Sequence, residues 1–192
     1  MPPKAKFTKE EIVAEAFKIV RQEGMQALTA RSLGNSLKSS ARPIFTVFKS
    51  MDEVQYEVLC HAKQLYDQYI SDGLQENPAF KGVGEAYIRF AIEEPKLFQL
   101  LFMNEQKEVP DVNSVLSLID YNNEKILKSI EDGYGLSSEL SKLLYLHLWI
   151  YSHGIAVLLA TKVCNFSADE ISLMLTHVCS SLLKRIKEEG KL

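Results

Sequence analysis

Hydrophobic residues recur along most of the chain at intervals of three and four, which is the spacing of an amphipathic helix. The two-residue alternation of a half-buried strand is absent from the pattern. Breaker residues such as Gly24, Asn77-Pro78 and Asp132–Gly135 fall between the helical segments. The sequence therefore predicts an all-α protein, with a small N-terminal group of three helices, a larger C-terminal bundle and about nine helices in total.

Several helix starts carry a capping-box pattern, in which a Ser or Thr N-cap is followed three residues later by Glu. The pairs are Thr8/Glu11, Ser50/Glu53 and Ser167/Glu170. Asp111 is predicted to cap a helix reaching about Glu131, and a very apolar helix is predicted over 138–163. These signals place most boundaries of the larger bundle.

Two short helices are predicted at Thr29–Leu37 and Ala41–Phe48, joined by three polar residues. Such a pair directly behind a capped helix matches the helix-turn-helix of DNA-binding proteins. Its second helix must present short polar side chains and cations to the nucleic acid. The residues predicted to contact DNA are Thr29, Lys38, Ser39, Ser40, Ala41, Arg42, Phe45, Thr46 and Lys49.

The charge distribution supports this prediction. Residues 1–50 hold nine Lys/Arg and four Asp/Glu, a balance of +5, whereas the whole chain has a net charge of −3. The remaining 142 residues therefore carry −8. A basic head on an acidic body indicates that only the head approaches a polyanion such as DNA.

The stretch from Phe7 to Val58 resembles the DNA-binding domain of TetR-type repressors. The resemblance lies in Leu28-Thr29, Ser40, the run from Ile44 to Phe48, and the run from Ser50 to Val54. Three positions depart from that family: Lys38 replaces a frequent turn glycine, Phe45 replaces a frequent tyrosine, and Pro43 lies inside the recognition helix. The resemblance implies a DNA-binding domain over residues 1–52 and a ligand-binding and dimerisation domain over residues 53–192.

The resemblance also implies a homodimer formed by the final two helices, which would recognise a palindromic operator. The predicted dimer contacts are Ile155, Leu159, Ile171, Met174, Leu175, Val178, Leu182 and Ile186. Trp149 and His153-Gly154 resemble the tryptophan-histidine-glycine signature of one C-terminal domain type in the family. A cavity for a hydrophobic effector is predicted, with candidate lining residues Tyr66, Tyr87, Phe98, Phe102, Tyr121, Trp149 and His153.

Other classes of function are disfavoured. The four histidines and three cysteines lack the spacings of metal or catalytic motifs, so we expect no enzyme activity, metal or cofactor. The N-terminus lacks the apolar segment of a secretory signal, and the long apolar helix is interrupted by polar residues, so we expect a cytoplasmic protein outside the membrane. The main hypothesis is a ligand-responsive homodimeric repressor. The alternative is a helical adaptor that binds protein and carries a degenerate DNA-binding head.

Overall fold

A computed structural model describes residues 6–105, 111, 114–116 and 122–189. Within these ranges the secondary structure is helical and contains no strand, which confirms the predicted all-α class. Eight α-helices lie in the described part of the chain, one fewer than the predicted total of about nine. They are α1 (Lys9–Glu23), α2 (Ala30–Ser36), α3 (Met51–Gly73), α4 (Ala79–Glu93), α5 (Pro95–Phe102), α6 (Asn123–Tyr134), α7 (Ser138–Ala160) and α8 (Ala168–Glu189).

The predicted helix starts are mostly confirmed. The Thr8 hydroxyl accepts a hydrogen bond from the Glu11 N–H at 3.2 Å, and the Glu11 carboxylate accepts from the Thr8 N–H at 2.8 Å. Ser167 and Glu170 form the same reciprocal pair before α8. In the third box the Ser50 hydroxyl accepts from the Glu53 N–H at 3.4 Å as predicted, but the Glu53 carboxylate accepts from the N–H of Lys49 in place of that of Ser50.

The helix predicted over Ala41–Phe48 is wrong. The chain there makes turns and one 3₁₀ turn, Ile44–Thr46, in place of an α-helix. Pro43 has no N–H and disfavours helical geometry at the residue before it. The Thr46 hydroxyl also donates to the Pro43 carbonyl at 2.6 Å, which reinforces the tighter turn. The local preference of these residues therefore outweighs the helical pattern of Ile44, Val47 and Phe48.

Two further boundaries differ from the prediction. The helix expected to run from Asp111 to Glu131 is interrupted, because Asn122 is the N-cap residue of α6. The apolar helix α7 ends at Ala160, three residues before the predicted end, and Lys162 then adopts a left-handed φ of 58°. The residues that directly follow this end, Thr161 and Lys162, are polar, and the apolar Val163 at the predicted end lies beyond them.

The chain divides into two compact units. The first comprises Met1–Leu65 and Glu94–Asn104, and the second comprises Tyr66–Glu93 and Glu105–Leu192. The boundary between them falls inside α3 and again at the junction of α4 and α5. The predicted functional division after residue 52 stays a prediction, since compact units and functional domains need not coincide.

In the first unit, α5 packs against α1 even though it follows α4 in sequence. A charged pair joins the two segments. Arg21 Nε donates to Glu94 Oε2 at 2.7 Å, and an Arg21 Nη donates to the other carboxylate oxygen. Glu94 is 3% exposed, so this bidentate contact compensates a carboxylate that has lost nearly all its water.

In the second unit, α4 packs on α7, and α6 and α8 complete the bundle. The end of α3 and the start of α4 meet at Gly73 and Gly82. A Cβ placed on Gly82 would lie 2.2 Å from the Gly73 carbonyl oxygen, a distance that atoms cannot adopt. Both positions therefore need glycine for the two backbones to approach this closely.

Candidate functional site

The predicted DNA-contact residues form an accessible surface on the first unit. Ser39 and Ala41 are half-buried, and the other seven are exposed: Thr29, Lys38, Ser40, Arg42, Phe45, Thr46 and Lys49. We call these nine residues the polar tip. Ile44 and Phe48, at 0% and 4% exposure, anchor the segment to the core. The polar tip is therefore accessible enough to contact a nucleic acid, although a 3₁₀ turn stands where the second helix of the helix-turn-helix was predicted.

The electrostatics of this region are one-sided. Residues 24–51 contain Arg31, Lys38, Arg42 and Lys49 but no Asp or Glu. All four cations are exposed, and none forms an ion pair with a residue that the structure describes. Arg31, on the first turn of α2, was not among the predicted contacts. The sequence could have indicated Arg31, because it is the one cation between Thr29 and Lys38.

Lys38 takes the place where a turn glycine was expected, and its backbone is left-handed with φ of 50°. The Ser39 N–H donates to the Gly34 carbonyl at 2.9 Å, and the Lys38 N–H donates to the Asn35 carbonyl at 2.9 Å. These two bonds form the motif that normally ends a helix with glycine. A non-glycine residue in this conformation costs roughly 1–2 kcal/mol. The turn is therefore built as expected, at some cost in strain.

Sequence reasoning missed Gly34 as a residue that shapes the polar tip. A Cβ on Gly34 would lie 3.0 Å from the Ala41 nitrogen and 3.1 Å from the Ser40 carbonyl carbon. Gly34 thus allows the backbone of Ser39, Ser40 and Ala41 to lie directly on α2. The available signal was a glycine inside a helical pattern, which often marks a close backbone approach.

A cavity of about 230 Å³ lies within the second unit. Its wall is contributed by the last turns of α3, by α4, by the end of α6, by α7 and by α8. Aromatic and aliphatic side chains dominate, and the aromatic ones are Tyr66, Phe80, Tyr87, Tyr134, Tyr145 and Trp149. A concave, mostly apolar site with few polar groups is typical of a small-molecule binding site.

Three of the seven predicted ligand residues line this cavity: Tyr66, Tyr87 and Trp149. His153 does not line it, but its Nδ1 lies 2.8 Å from the Tyr87 hydroxyl oxygen, and its ring stacks on Trp149 with centroids 5.3 Å apart. Burial lowers the pKa of His153. His153 therefore contacts two residues of the cavity wall, Tyr87 and Trp149, without lining the cavity itself.

Phe98 and Phe102 do not line this cavity. Both lie on α5 in the first unit, where Phe98 is fully buried and its ring centroid is 5.2 Å from that of Phe102. They follow Pro95, which ends α4 and starts a new helix. Tyr121 lies outside the described residues. Tyr134 and Tyr145 were not among the predicted ligand residues, because their spacing in the sequence does not distinguish them from aromatic residues of an ordinary core.

The predicted dimer contacts are only partly available. Ile155, Ile171, Leu175 and Ile186 are each 4–5% exposed, so their side chains are used by the chain's own core. Leu159, Met174, Val178 and Leu182 are half-buried. Because α7 is apolar on every side, its sequence could not show which face points inward. Leu175 instead lines the cavity.

A different face of α7 is exposed. Leu143, Ile150 and Leu158 are 42%, 53% and 39% exposed, and His147 and Gly154 between them are exposed as well. At 100° per residue these five positions fall within a sector of about 80°. We call this set the α7 stripe. Its three large apolar side chains, Leu143, Ile150 and Leu158, are thus accessible along one face of the helix.

The helix Ser138–Ala160 is long and apolar enough to cross a membrane by length and composition alone. One such helix is weak evidence, since the core helix of a water-soluble protein has the same properties. Among the described residues, no three His, Cys, Asp or Glu side chains converge as a metal site requires. The expected absence of a metal, a cofactor and catalysis stays an expectation.

No protein-family model matches the chain, and no curated protein matches it.

Proposed function

We propose that the protein is a cytoplasmic, DNA-binding transcriptional regulator of the TetR type, acting as a homodimeric repressor that responds to a small hydrophobic ligand. The observation that carries this proposal is the polar tip within a 28-residue stretch that has four exposed cations and no carboxylate. Exposed cations attract phosphates, and short polar side chains such as Ser40 and Thr46 can reach base edges. The resemblance of Phe7 to Val58 to TetR-type repressors supports the same function.

The side-chain chemistry of the polar tip indicates which part of the DNA each of its residues contacts. Lys38 and Lys49 bracket the 3₁₀ segment and are suited to phosphate contacts, which position the protein without reading sequence. Arg42 stands between them with five N–H donors, so it is the residue best suited to a guanine edge. Arg31 adds a further phosphate contact on α2.

The α7 stripe supports the homodimer. Two copies related by a two-fold axis would bring the same stripe of each chain together, with Gly154 near its centre permitting close approach of the helices. Paired heads would then match paired half-sites on DNA. This differs from the sequence prediction, in which the dimer contacts include side chains that are buried in each chain's own core.

The alternative, a helical adaptor with a degenerate DNA-binding head, has one observation in its favour. The element expected to enter the major groove is a 3₁₀ turn, and Phe45, the middle residue of that turn, is 47% exposed. An exposed aromatic residue at the tip suits a protein partner as well as a nucleic acid.

DNA binding separates these two functions. We expect the protein to bind a duplex from upstream of its own gene, with an affinity that falls steeply as salt rises, because each phosphate contact releases counterions. Replacing Arg42 or Lys49 by Ala should weaken binding, and Lys49→Ala should also reduce the salt slope by about 1. Lys184→Ala, which removes an exposed cation from α8, is the matched control and should leave binding unchanged. No binding, or binding insensitive to salt, would exclude the regulator and favour the adaptor.

Light scattering tests the dimer independently of DNA. Ile150→Glu places a charge in the middle of the α7 stripe and should convert the protein to a monomer. Val163→Glu is the matched control, since Val163 is an exposed apolar residue (71%) beyond the end of α7. A protein that is monomeric without any substitution, or a dimer that survives Ile150→Glu, would refute this interface.

A further inference from the structure

One buried hydroxyl in the cavity wall makes no hydrogen bond to any residue that the structure describes. It belongs to Ser152 of α7, which is 4% exposed and lines the cavity. Thr176 and Ser180 line the same cavity, but their hydroxyls donate to backbone carbonyls of their own helix at 2.7 and 3.1 Å. Buried polar groups in native proteins almost always have a partner. The Ser152 hydroxyl therefore indicates a partner that enters the cavity.

The oxygen of this hydroxyl is open to the cavity. Among the described residues, three buried polar side-chain atoms lack a partner and are also sealed off from water-sized space, and they belong to Asn123, Ser141 and Trp149. Ser152 Oγ lacks a partner but is not one of these sealed atoms. It faces α4 at Gly84, where an added Cβ would lie 3.8 Å from it. Ser152 Oγ can therefore be reached by a ligand group that lies beside Gly84.

The packing of α4 does not require a glycine at position 84. Gly84 lies inside the helix, where alanine is the more favourable residue. A Cβ there would make only ordinary contacts, with Leu175 Cδ1 at 3.5 Å and Ser152 Oγ at 3.8 Å. Gly82 differs, because the backbone of Gly73 leaves no room for a Cβ. Glycine also permits the close approach of a ligand to the backbone, which accounts for Gly84 in the cavity wall.

A ligand in this space must carry a group that satisfies the Ser152 hydroxyl. The ligand displaces any water beside the hydroxyl, and affinity is lost if the ligand cannot replace the hydrogen bond of that water. A buried hydroxyl without a partner is costly in free energy. An oxygen atom on the ligand avoids this cost, because it can accept the bond that Ser152 Oγ donates. The cavity therefore selects for an oxygen acceptor at the side near Gly84.

The rest of the ligand is apolar and small. The cavity wall consists mainly of aromatic and aliphatic side chains. An apolar protein cavity of roughly 150 Å³ holds benzene, with six non-hydrogen atoms. In proportion, the 230 Å³ cavity accommodates roughly nine non-hydrogen atoms. A single ring with a short oxygen-bearing substituent has this size.

We propose that this cavity binds a small apolar compound whose carbonyl or hydroxyl oxygen lies beside Gly84 and accepts a hydrogen bond from Ser152 Oγ. This inference rests on the ligand-responsive part of the proposed function, but the binding itself requires no DNA. Ser152 selects for the oxygen, and Gly84 leaves the room that the oxygen occupies.

Two probes of equal size test the hydrogen bond: acetophenone, and its isostere α-methylstyrene, in which a CH₂ group replaces the oxygen. The probes differ in hydration, so the quantity to compare is the ratio of their dissociation constants in each protein variant, measured by calorimetry. This cycle isolates the contribution of the bond. We expect Ser152→Ala to weaken acetophenone about fivefold relative to α-methylstyrene, which is the effect of one hydrogen bond.

Ser141→Ala is the matched control. Ser141 lies on the same helix, is fully buried and has an unpartnered hydroxyl, but it does not line the cavity. The ratio of the two dissociation constants should therefore be the same in Ser141→Ala as in the unsubstituted protein. A ratio that changes equally in both variants would show that the effect does not come from a bond in the cavity, and it would overturn the inference.

Gly84→Ala tests the position of the oxygen. The added Cβ would lie 3.8 Å from Ser152 Oγ, which leaves no room for an oxygen atom between them. We expect both probes to bind roughly tenfold more weakly or worse, as in other overpacked sites. Circular dichroism should show an intact fold, because alanine is favourable in the helix and the Cβ makes no clash with the protein.

The carbonyl group of the probe reports the bond directly. The ¹³C resonance of carbonyl-labelled acetophenone moves downfield when its oxygen accepts a hydrogen bond. It should lie farther downfield in the complex with the unsubstituted protein than in the complex with Ser152→Ala. An identical resonance in both complexes, no binding of acetophenone, or undiminished binding to Gly84→Ala would each overturn the inference. Because Gly84→Ala is independent of Ser152→Ala, a folding failure of the latter leaves the inference testable.

The two proposals can fail separately. If acetophenone binds as expected but DNA binding is absent, the regulator is refuted and the ligand assignment stands. If DNA binds but neither probe enters the cavity, the ligand assignment is refuted and the DNA-binding function stands.

Discussion

Replacing Gly82 by Ala should destabilise the protein, whereas the same change at Gly84, two residues further along α4, should stabilise it. Alanine is about 1 kcal/mol more favourable than glycine inside a helix. At Gly84 this gain is kept, because a Cβ there would meet Leu175 Cδ1 at 3.5 Å and Ser152 Oγ at 3.8 Å, which are ordinary contacts.

At Gly82 the gain is outweighed. The Cβ would lie 2.2 Å from the Gly73 carbonyl oxygen and 2.5 Å from Glu76 Cβ. The nearest obstacle is backbone, so the ends of α3 and α4 must separate by roughly 1 Å and lose packing. Overpacking of this kind costs roughly 1–3 kcal/mol, and we expect the upper end because backbone cannot rotate away. Since both variants have the same gain in helix propensity, they should differ by the overpacking cost alone, about 2–3 kcal/mol.

Urea unfolding followed by circular dichroism measures this difference. For a chain of this size the two midpoints of thermal unfolding should also lie about 5–10 °C apart. Gly133→Ala is the control, since a Cβ at Gly133 has nothing within 4 Å and reports helix propensity alone. Equal stabilities of the Gly82 and Gly84 variants would show that the two backbones do not meet at Gly73.

Three further results are expected. Lys38→Gly should raise the unfolding free energy by about 1 kcal/mol by relieving the left-handed strain, whereas Lys38→Ala should not, and a gain with both would refute the strain argument. Arg21→Met should cost about 2–3 kcal/mol by leaving the Glu94 carboxylate buried without its partner, and adding Glu94→Leu should recover part of that loss in urea unfolding. Burial lowers the pKa of His153, so the unfolded chain binds a proton that the folded chain does not; stability should fall as pH drops below about 6.5, and His153→Gln should flatten that part of the profile. An unchanged profile would remove His153 from the pH dependence.

Local signals in the sequence predicted the elements that depend on local interactions. The capping residues Thr8 and Ser167 and the terminator Gly24 all act within one turn of the helix they bound. Helix class and most boundaries therefore follow from neighbours in sequence.

Features that depend on tertiary packing could not be predicted. The sequence placed Phe98 and Phe102 in the cavity because it carries no information on which unit a short apolar helix joins. It assigned Ile155 and Leu175 to a partner because an apolar helix face can pack on its own chain as well as on a partner, and in this chain both side chains are buried. The prediction for the segment after Ser40 failed for another reason. Its hydrophobic residues have helical spacing, but Pro43 disfavours a regular α-helix there.

The first unit is built from two separate stretches of the chain, so no single continuous segment contains all of it. An N-terminal fragment ending near residue 52 or 65 would lack the segment Glu94–Asn104, which covers α1 and supplies the carboxylate for Arg21. Such a fragment would expose the apolar surface of α1 that α5 covers and would lack the Arg21–Glu94 contact. Recombination that exchanges the head of this protein for another would have to carry α5 along as an interior insert. The two units thus alternate along the sequence, unlike independent domains that follow one another. We expect them to have been inherited together.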